Sequence, residues 1–292
     1  MKRTTSSANR RAKQNAKKAI ATIKSFDLTR VNDAKLQVAV GDLFRCLEIM
    51  QMQISVGQIF YRIVRLRSKE PPTNVSRIRN PPVDLVMEFG RANKPKQSAF
   101  YASAHPYSPI QETELQIGDY FAMSTWTTSK VIRSFEIGST KKSLAGSQLA
   151  TVPTTEASQI AYNFLSDEFV KQVHAGDEFE YRLSAAVAER VMYEKSGEGS
   201  PFGGVTYPSV ASSFHRENVV FRPDIVDSHL SLERVIYGRV ASISDDRSKI
   251  DVVIFYKSES FGDDGEINWM KTAGIREKLV IEPQTVHSMF NR

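Results

Sequence analysis

The sequence predicts an α+β protein with a mixed β core, flanking helices and a helical N-terminal segment. The first fifty of its 292 residues contain no proline and repeat apolar residues at helical spacing. From residue 55 onward, short stretches rich in β-branched and aromatic residues alternate with loops, as is typical of strands. The helical patterns that follow are grouped and do not alternate regularly with strands, which favours α+β over a doubly wound sheet.

Two helices are predicted in the N-terminal segment. The first covers residues 8–24, where alanines and isoleucines recur on one face. The second runs from Asp33 to about Gln53, and its apolar face holds Leu36, Val40, Leu43, Phe44, Leu47 and Met50. Cys46 lies in this apolar helix, so we interpret it as a core residue and not as a nucleophile.

The remaining elements follow from local patterns. Strands are predicted at residues 55–68, 98–104, 119–128, 130–138, 205–210 and 218–223, and loops at 69–82, 139–154 and 196–204. Thr155 and Ser158 are candidate N-caps of a helix that runs through residues 159–173, and a further helix is predicted at 180–194. Near the C-terminus, residues 233–243 and 249–260 predict a β-hairpin joined at 244–248.

The basic charge of the chain is concentrated at its N-terminus. Residues 1–24 contain eight Lys and Arg and no acidic residue, and subtracting these eight from 39 leaves 31 against 33 Asp and Glu. The remaining body therefore carries a charge of about −2, which argues against an extended basic face for nucleic acid. A nucleic-acid-associated function through the basic N-terminus stays open as an alternative.

Composition bounds the class of protein and of site. With 41% hydrophobic and 25% charged residues, the chain has the composition of a soluble globular protein. No apolar run approaches the roughly 18 residues that cross a bilayer, so we expect no membrane span and a cytoplasmic location. The single cysteine excludes an internal disulfide, and the five histidines are scattered without ligand spacing, so we expect no metal site.

A sparse set of polar and aromatic residues stands at strand ends and in loops. Its members are Arg62, Arg91, Asn93, Tyr101, Ser103, Glu112 and Ser209. Taken one at a time, each has a structural explanation, such as a solvated strand end or a half-buried packing residue. The sequence contains none of the motifs GxxxxGK[ST], GxGxxG, HExxH or GxSxG, so these residues do not belong to a nucleotide-binding loop or a hydrolase motif of those kinds.

The combination of these residues is more informative than each alone. The segments "FYRIVR", "GRANKPKQSAFYASAHPYSPIQET" and "GGVTYPSV…ENVVFRP" resemble, in order and spacing, the blocks of the RES family over roughly residues 58–226. Members of that family look like ADP-ribosyltransferase-type folds that act on NAD. The resemblance implies a RES-like domain at 55–230 between a basic helical segment at 1–54 and a C-terminal β-rich extension at 231–292 packed on the same domain. The chain departs from the family pattern before the Glu, where it carries His105, Tyr107 and Pro109.

The resemblance also implies a reaction and roles for single residues. NAD is implied as the substrate, with no metal, and the implied reaction cleaves the bond between nicotinamide and ribose. Glu112 is expected to stabilise the ribosyl cation, with Arg62 and Ser209 as further catalytic residues. Arg62 and Arg91 are expected to hold the pyrophosphate.

Three further contacts with NAD are implied. Asn93 would donate a neutral hydrogen bond, Tyr101 would offer a flat face to the nicotinamide or ribose, and Ser209 would bond to the nicotinamide end or a ribose hydroxyl. We do not interpret Ser209 as an activated nucleophile, because no His and Asp pair is indicated near it.

The acceptor of the ribosyl group stays open. Water would make the protein a NAD glycohydrolase, inorganic phosphate a NAD phosphorylase, and a protein side chain an ADP-ribosyltransferase. Similar proteins act as toxins held in check by an antitoxin, so a protein partner of that kind is implied. The alternative from another class is a non-catalytic NAD-binding or protein-interaction module.

Overall fold

The computed structural model describes residues 2–49, 51–138, 153–194, 202–209, 217–245 and 249–280. Its helices are α1 (Lys2–Lys24), α2 (Asp33–Phe44), α3 (Ser108–Glu112), α4 (Glu156–Val170), α5 (Arg182–Tyr193) and α6 (Pro223–His229). Its strands are β1 (Gln51–Ile54), β2 (Ile59–Leu66), β3 (Phe100–Ser103), β4 (Tyr120–Thr128), β5 (Ile132–Glu136), β6 (Gly204–Pro208), β7 (Glu217–Phe221), β8 (Leu230–Ile243), β9 (Lys249–Ser258) and β10 (Met270–Val280). This composition of helices and strands confirms the α+β class and the N-terminal helical segment.

All ten strands form one mixed sheet. Their order is β1-β5-β6-β7-β3-β2-β4-β8-β9-β10, and within the described strands only the β5–β6 pair is parallel. A parallel pair needs a long crossover connection, and here the connection contains α4 and α5. These two helices therefore cover the face of the sheet near β5, β6 and β7, where Phe135, Val205 and Tyr207 are buried against them.

The N-terminal helices pack on this helical layer. Ala16, Ala19 and Ile23 of α1 are buried, and α1 contacts α2 and α4. Asn32 caps α2, because its side chain accepts a hydrogen bond from the Ala34 amide at 2.8 Å. The basic helix α1 is therefore attached to the core by a narrow apolar face, while Arg10, Arg11, Lys17 and Lys18 are exposed.

The second helix is shorter than its predicted extent to Gln53. It ends at Phe44, and residues 51–54 form the edge strand β1, antiparallel to β5. The local pattern explains the difference, because Met52 and Ile54 are buried and alternate with exposed Gln51 and Gln53. Cys46 lies in the turn after α2 and not in a helix, although it still packs against the core as expected.

Most other elements agree with the sequence pattern. The strands predicted at 55–68, 98–104, 119–128 and 130–138 correspond to β2, β3, β4 and β5, and those at 205–210 and 218–223 to β6 and β7. Thr155 is the N-cap of α4 and accepts a hydrogen bond from the amide of Ser158, which lies inside the first turn. The loops predicted at 139–154 and 196–204 fall mainly on residues 139–152 and 195–201, which lie outside the described residues.

The C-terminal strands extend the sheet beyond the predicted hairpin. β8 and β9 confirm that hairpin, and β8 also pairs with β4 along its length. A tenth strand, β10, was not expected from the sequence. The loop between β9 and β10 contacts residues 69–82, the proline-rich loop. Trp269 donates a hydrogen bond to the Pro72 carbonyl, and the Val75 amide donates one to the Gly265 carbonyl. The division at residues 54 and 230 stays a prediction.

Helix length and apolarity also bear on the membrane expectation. Within the described ranges, no helix has both the length and the apolar content that a bilayer crossing requires.

Candidate functional site

A carboxylate with two hydrogen-bond donors marks the candidate site. Glu112 is the last residue of the short helix α3, and the residue is exposed. Its Oε1 accepts a hydrogen bond from Ser209 Oγ at 2.6 Å and another from Asn218 Nδ2 at 2.9 Å. Within the described part of the chain, no hydrogen bond reaches Oε2. One oxygen of the carboxylate is thus fixed by protein while the other is open to a ligand.

Sheet topology explains why these three residues meet. β6 and β7 are antiparallel, so the end of β6 lies beside the start of β7, with Tyr207 opposite Asn218. Ser209 follows β6 directly, and Ser103 at the end of β3 lies opposite Asn218 on its other side. The chain therefore leaves β3 at the same side of the sheet where β6 ends and β7 begins. The helix α3 that follows places Glu112 next to these strand ends. Both donors are protected, since Ser209 is 0% exposed and Asn218 is 6% exposed.

Two tyrosines lie close to Glu112. Burial raises the pKa of the Tyr181 and Tyr207 hydroxyls, and the negative charge of Glu112 raises both further. Both phenols are therefore neutral donors at physiological pH. Tyr207 is 4% exposed, whereas Tyr181 is only partly buried and ends the short 3-10 turn Glu178–Tyr181.

Arg91 lies between these tyrosines. Its guanidinium carbon is 4.9 Å from the Tyr181 ring centroid and 5.8 Å from that of Tyr207. Its NH1 donates to the carbonyls of Phe169 and Lys171, and its NH2 to the Tyr181 hydroxyl at 3.4 Å. Those carbonyls belong to the C-terminal end of α4, where a cation is electrostatically favoured. The arginine is thereby held beside the tyrosines that adjoin Glu112.

Tyr101 closes the loop that carries Arg91. The Tyr101 hydroxyl accepts from the Ala92 amide at 2.9 Å and donates to Asn93 Oδ1 at 2.7 Å. Burial raises its pKa well above the usual range, so this phenol stays protonated. A Cβ at Gly90 would lie 2.4 Å from Asn93 Oδ1 and 2.7 Å from the Tyr101 hydroxyl, so the close approach requires glycine here.

Arg62 is bonded to backbone carbonyls. Its three guanidinium nitrogens donate to the carbonyls of Ile78, Tyr101 and Arg79 at 2.8 to 3.3 Å. Its guanidinium carbon is 5.1 Å from the Phe100 ring centroid. Burial lowers the pKa of this guanidinium to about 10, which still leaves it cationic at neutral pH. Arg62 thus joins the proline-rich loop to β3.

The residues predicted for the site fall into two bonded groups, and Arg62 contacts one of these groups. Glu112 and Ser209 are in direct contact, and Asn93 and Tyr101 are bonded to each other in the loop that carries Arg91. Arg62 meets this second group through the Tyr101 carbonyl. The ligand-binding role of each stays a prediction.

The residues around the Glu112 carboxylate form the Glu112 cluster: Arg91, Glu112, Tyr181, Tyr207, Ser209 and Asn218. Sequence reasoning missed three residues of this cluster. Asn218 stands in the segment "ENVVFRP", whose resemblance to the RES family was the available signal for it. Tyr207 stands two residues before Ser209 in the segment "GGVTYPSV", which gave the same kind of signal. Tyr181 had no local signal, because it reaches the site only through the connection between β5 and β6.

Two aromatic residues precede the helix of Glu112. His105 and Tyr107 lie between β3 and α3, with their ring centroids 5.2 Å apart. Across residues 2–49, 51–138, 153–194, 202–209, 217–245 and 249–280, no three His, Cys, Asp or Glu side chains are grouped as a metal site would require.

Comparison with known proteins supports one assignment. The RES domain matches residues 59–238, which is more than half of the chain and includes every residue of the Glu112 cluster. No curated protein matches the chain. The matched range begins at β2 and ends within β8, so it contains the three strand ends that meet at Glu112. On this match, the chain belongs to the RES domain family.

Proposed function

We propose that the protein is a NAD-consuming enzyme that cleaves the bond between nicotinamide and ribose. The observation that carries the proposal is the Glu112 carboxylate, fixed through Oε1 by Ser209 and Asn218 and open at Oε2. Membership of the RES domain family supports NAD as the ligand, because that family is associated with NAD use.

The chemistry of NAD asks for one carboxylate. Its leaving group is already a cationic pyridinium, so nicotinamide departs as a neutral molecule without a proton from a general acid. Positive charge then develops on the ribose in an oxocarbenium-like transition state. A fixed negative charge beside that ribose stabilises the transition state more than the ground state, which is what accelerates the step.

The donors to Oε1 serve this role by orientation. Ser209 and Asn218 stabilise the ionised form of Glu112 and hold it in one position, so little reorganisation is needed when the ribosyl cation forms. We assign Ser209 this hydrogen-bonding function, and Asn218 joins it as a positioning residue. The open Oε2 would face the ribose.

Arg91 and the tyrosines would bind the rest of NAD. The Nε–H of Arg91 and one N–H of its NH2 make no hydrogen bond with a described residue, so these two donors are left for pyrophosphate oxygens. The partly buried ring of Tyr181 stacks on the guanidinium and offers an edge of the same cleft to a planar group.

The structure suggests supporting roles for Arg62, Asn93 and Tyr101. Arg62 donates to the Tyr101 carbonyl on β3, and the Tyr101 hydroxyl bonds to Ala92 and Asn93 in the loop of Arg91. We propose that these contacts set the position of Arg91 and of β3. For Arg62 this replaces the proposed grip on pyrophosphate by a positioning role.

The acceptor would be water, inorganic phosphate or a protein side chain, and a NAD-depleting enzyme of this kind would be toxin-like. An antitoxin protein is then the expected partner. All three reactions release nicotinamide, so the Glu112 cluster is compatible with each of them.

The direct test incubates the purified full chain with NAD and measures released nicotinamide by chromatography. Parallel samples contain no phosphate, inorganic phosphate, or a mixture of candidate acceptor proteins. We expect release in at least one sample, and the ribosyl product identifies the acceptor. NAD binding by thermal shift without release in any sample would contradict the enzymatic proposal and favour a non-catalytic binding module.

A further inference from the structure

A second cleft lies at the opposite end of the strands that form the Glu112 site. It is bordered by Gln53, Ile132, Arg133, Arg222, Ile225 and His229, and its volume is about 280 Å³. Gly203 stands directly before β6 at this cleft, and Ser209 stands directly after β6 at the other. At about 3.3 Å per residue, six residues of extended chain place the two clefts roughly 20 Å apart. The cleft is therefore separate from the proposed NAD site.

Positive charge dominates this second cleft. Arg133 is exposed on β5, directly opposite Gln53 of β1, and within the described residues no carboxylate forms an ion pair with it. His229 closes the opposite side at the end of α6. Lys130 is exposed nearby, and its charge lowers the pKa of His229.

The acidic residue that faces Arg222 is already paired. Asp224 binds Arg222 through two hydrogen bonds, from Nε at 3.0 Å and from NH2 at 2.7 Å, and the NH1 of Arg222 donates to the Met192 carbonyl. The charges of Arg222 and Asp224 therefore compensate each other at this side of the cleft. Within the part of the chain that the structure describes, no carboxylate forms an ion pair with Arg133 or Lys130, so their charges favour an anionic ligand.

An apolar wall adjoins these cations. Ile132 and Ile225 border the cleft, and Val131 beside them is 53% exposed. A Cβ at Gly203 would lie 3.0 Å from both Ile132 Cγ2 and Ile225 Cγ1, so glycine keeps the space between these two side chains open. Small-molecule sites combine such apolar surface with a few convergent polar groups.

We propose that this cleft binds a phosphate-bearing small molecule. Arg133 offers a planar fork of N–H donors that matches phosphate oxygens, and Gln53 adds an amide donor on the adjacent strand. His229 contributes the third donor when its ring is protonated. The Ser228 hydroxyl donates its proton to the Asp224 carbonyl, so His229 Nδ1–H donates to Ser228 Oγ at 2.7 Å, and the other ring nitrogen, Nε2, donates to the ligand in the imidazolium form. The apolar wall accommodates the organic part of a phosphate monoester.

The charges around His229 provide a local reporter of binding. Burial lowers its pKa, the charges of Lys130 and Arg222 lower it further, and Asp224 opposes them. A bound phosphate adds negative charge beside the ring and so raises this pKa. Binding then tightens as the pH falls through the titration range of His229, because the protonated ring binds the anion more strongly.

The test follows the His229 ring proton by NMR while the full chain is titrated with phosphate compounds. The His229→Gln variant assigns the resonance, and the probes are inorganic phosphate, ribose 5-phosphate and adenosine monophosphate. We expect a saturable shift and a higher His229 pKa with at least one probe. Stronger binding of the two monoesters than of inorganic phosphate would identify an organic ligand, and the reverse order free phosphate.

A matched pair of variants ties the signal to this cleft. Arg133→Gln should weaken the binding seen at His229 at least tenfold. Arg239→Gln should leave it unchanged, because Arg239 is also an exposed strand arginine but lies on β8. No response of His229 to any probe, or equal affinities in the two variants, would overturn the proposal. The readout is independent of nicotinamide release, so it stands or fails separately from the NAD reaction.

Discussion

The two ends of the sheet are built differently. The cleft half, β3, β6 and β7, consists of strands of four or five residues whose ends meet at Glu112. The meander half, β8, β9 and β10, consists of strands of 14, 10 and 11 residues paired in chain order. Short strands bring many strand ends close together, and the polar side chains at those ends meet at one side of the sheet. Long strands bury a regular apolar face and have fewer ends for their length.

The comparison teaches where stability and chemistry are separated in this molecule. In the cleft half, buried polar groups such as Ser209 and Asn218 direct hydrogen bonds toward one carboxylate. In the meander half, Val240, Ile250, Val252 and Ile254 form part of an apolar cluster that also includes Ile110 of α3. Changes in the first half should alter turnover, whereas changes in the second should mainly alter stability.

The largest effect on stability is expected at Arg62 of β2, which binds a carbonyl of β3 in the cleft half. Arg62→Met leaves three carbonyls without their donor, and we expect the free energy of unfolding to fall by about 2–4 kcal/mol in urea denaturation. The control Arg239→Met should change it by less than about 0.5 kcal/mol, because an exposed strand residue is replaced. An unchanged stability with a raised KM for NAD would instead support a direct grip on pyrophosphate.

The donors to Glu112 come next. Ser209→Ala and Asn218→Ala each remove one hydrogen bond to Oε1, and we expect each to lower kcat for nicotinamide release about tenfold, with a smaller change in KM. Steady-state assays with both variants test this, and circular dichroism verifies folding. A raised KM at unchanged kcat would mean that these residues bind NAD and do not orient Glu112.

The meander half provides the contrasting substitution. Ile254 is 4% exposed, and Ile254→Val should cost about 1 kcal/mol of unfolding free energy through the lost methylene. Its kcat should equal that of the unchanged protein below the unfolding transition. A fall in kcat without a fall in stability would show that the two halves are coupled, against the separation drawn above.

The smallest effect is expected at the N-terminal helix. Arg10, Arg11, Lys17 and Lys18 are exposed, so replacing all four by Gln should leave nicotinamide release within about twofold and the fold intact. Ala16, Ala19 and Ile23 hold the helix in place and are unchanged in this variant. A loss of release beyond tenfold would favour a function that acts through the basic N-terminus.

The sequence predicts local elements better than it predicts edges. The alternating patterns of β8 and β9 identify a hairpin, whereas β10 was missed because apolar and polar residues do not alternate along it, and Met270 and Ile275 are each 50% exposed. The early end of α2 was missed because Leu47 and Met50 continue the helical spacing of its apolar residues. A strand as short as β1 shows its period only when a partner strand is present.

The candidate site divides in the same way. Family resemblance identified Glu112, Ser209, Arg91 and Tyr101, whose segments have a recognisable order in the chain. Tyr181 was not identifiable, because it joins the cluster only when the connection between β5 and β6 packs on the sheet. The carbonyl contacts of Arg62 were equally hidden, since no residue type signals which backbone oxygens a guanidinium will meet.

The most direct test compares nicotinamide release by the unchanged protein and by Glu112→Gln. Gln keeps the size of the side chain and removes its negative charge, so it isolates the electrostatic role of the carboxylate. We predict that release falls by about a thousandfold or more, while NAD binding measured by calorimetry changes only a few-fold. Release within tenfold of the unchanged protein, in a folded variant, would contradict the central claim that Glu112 stabilises the ribosyl cation.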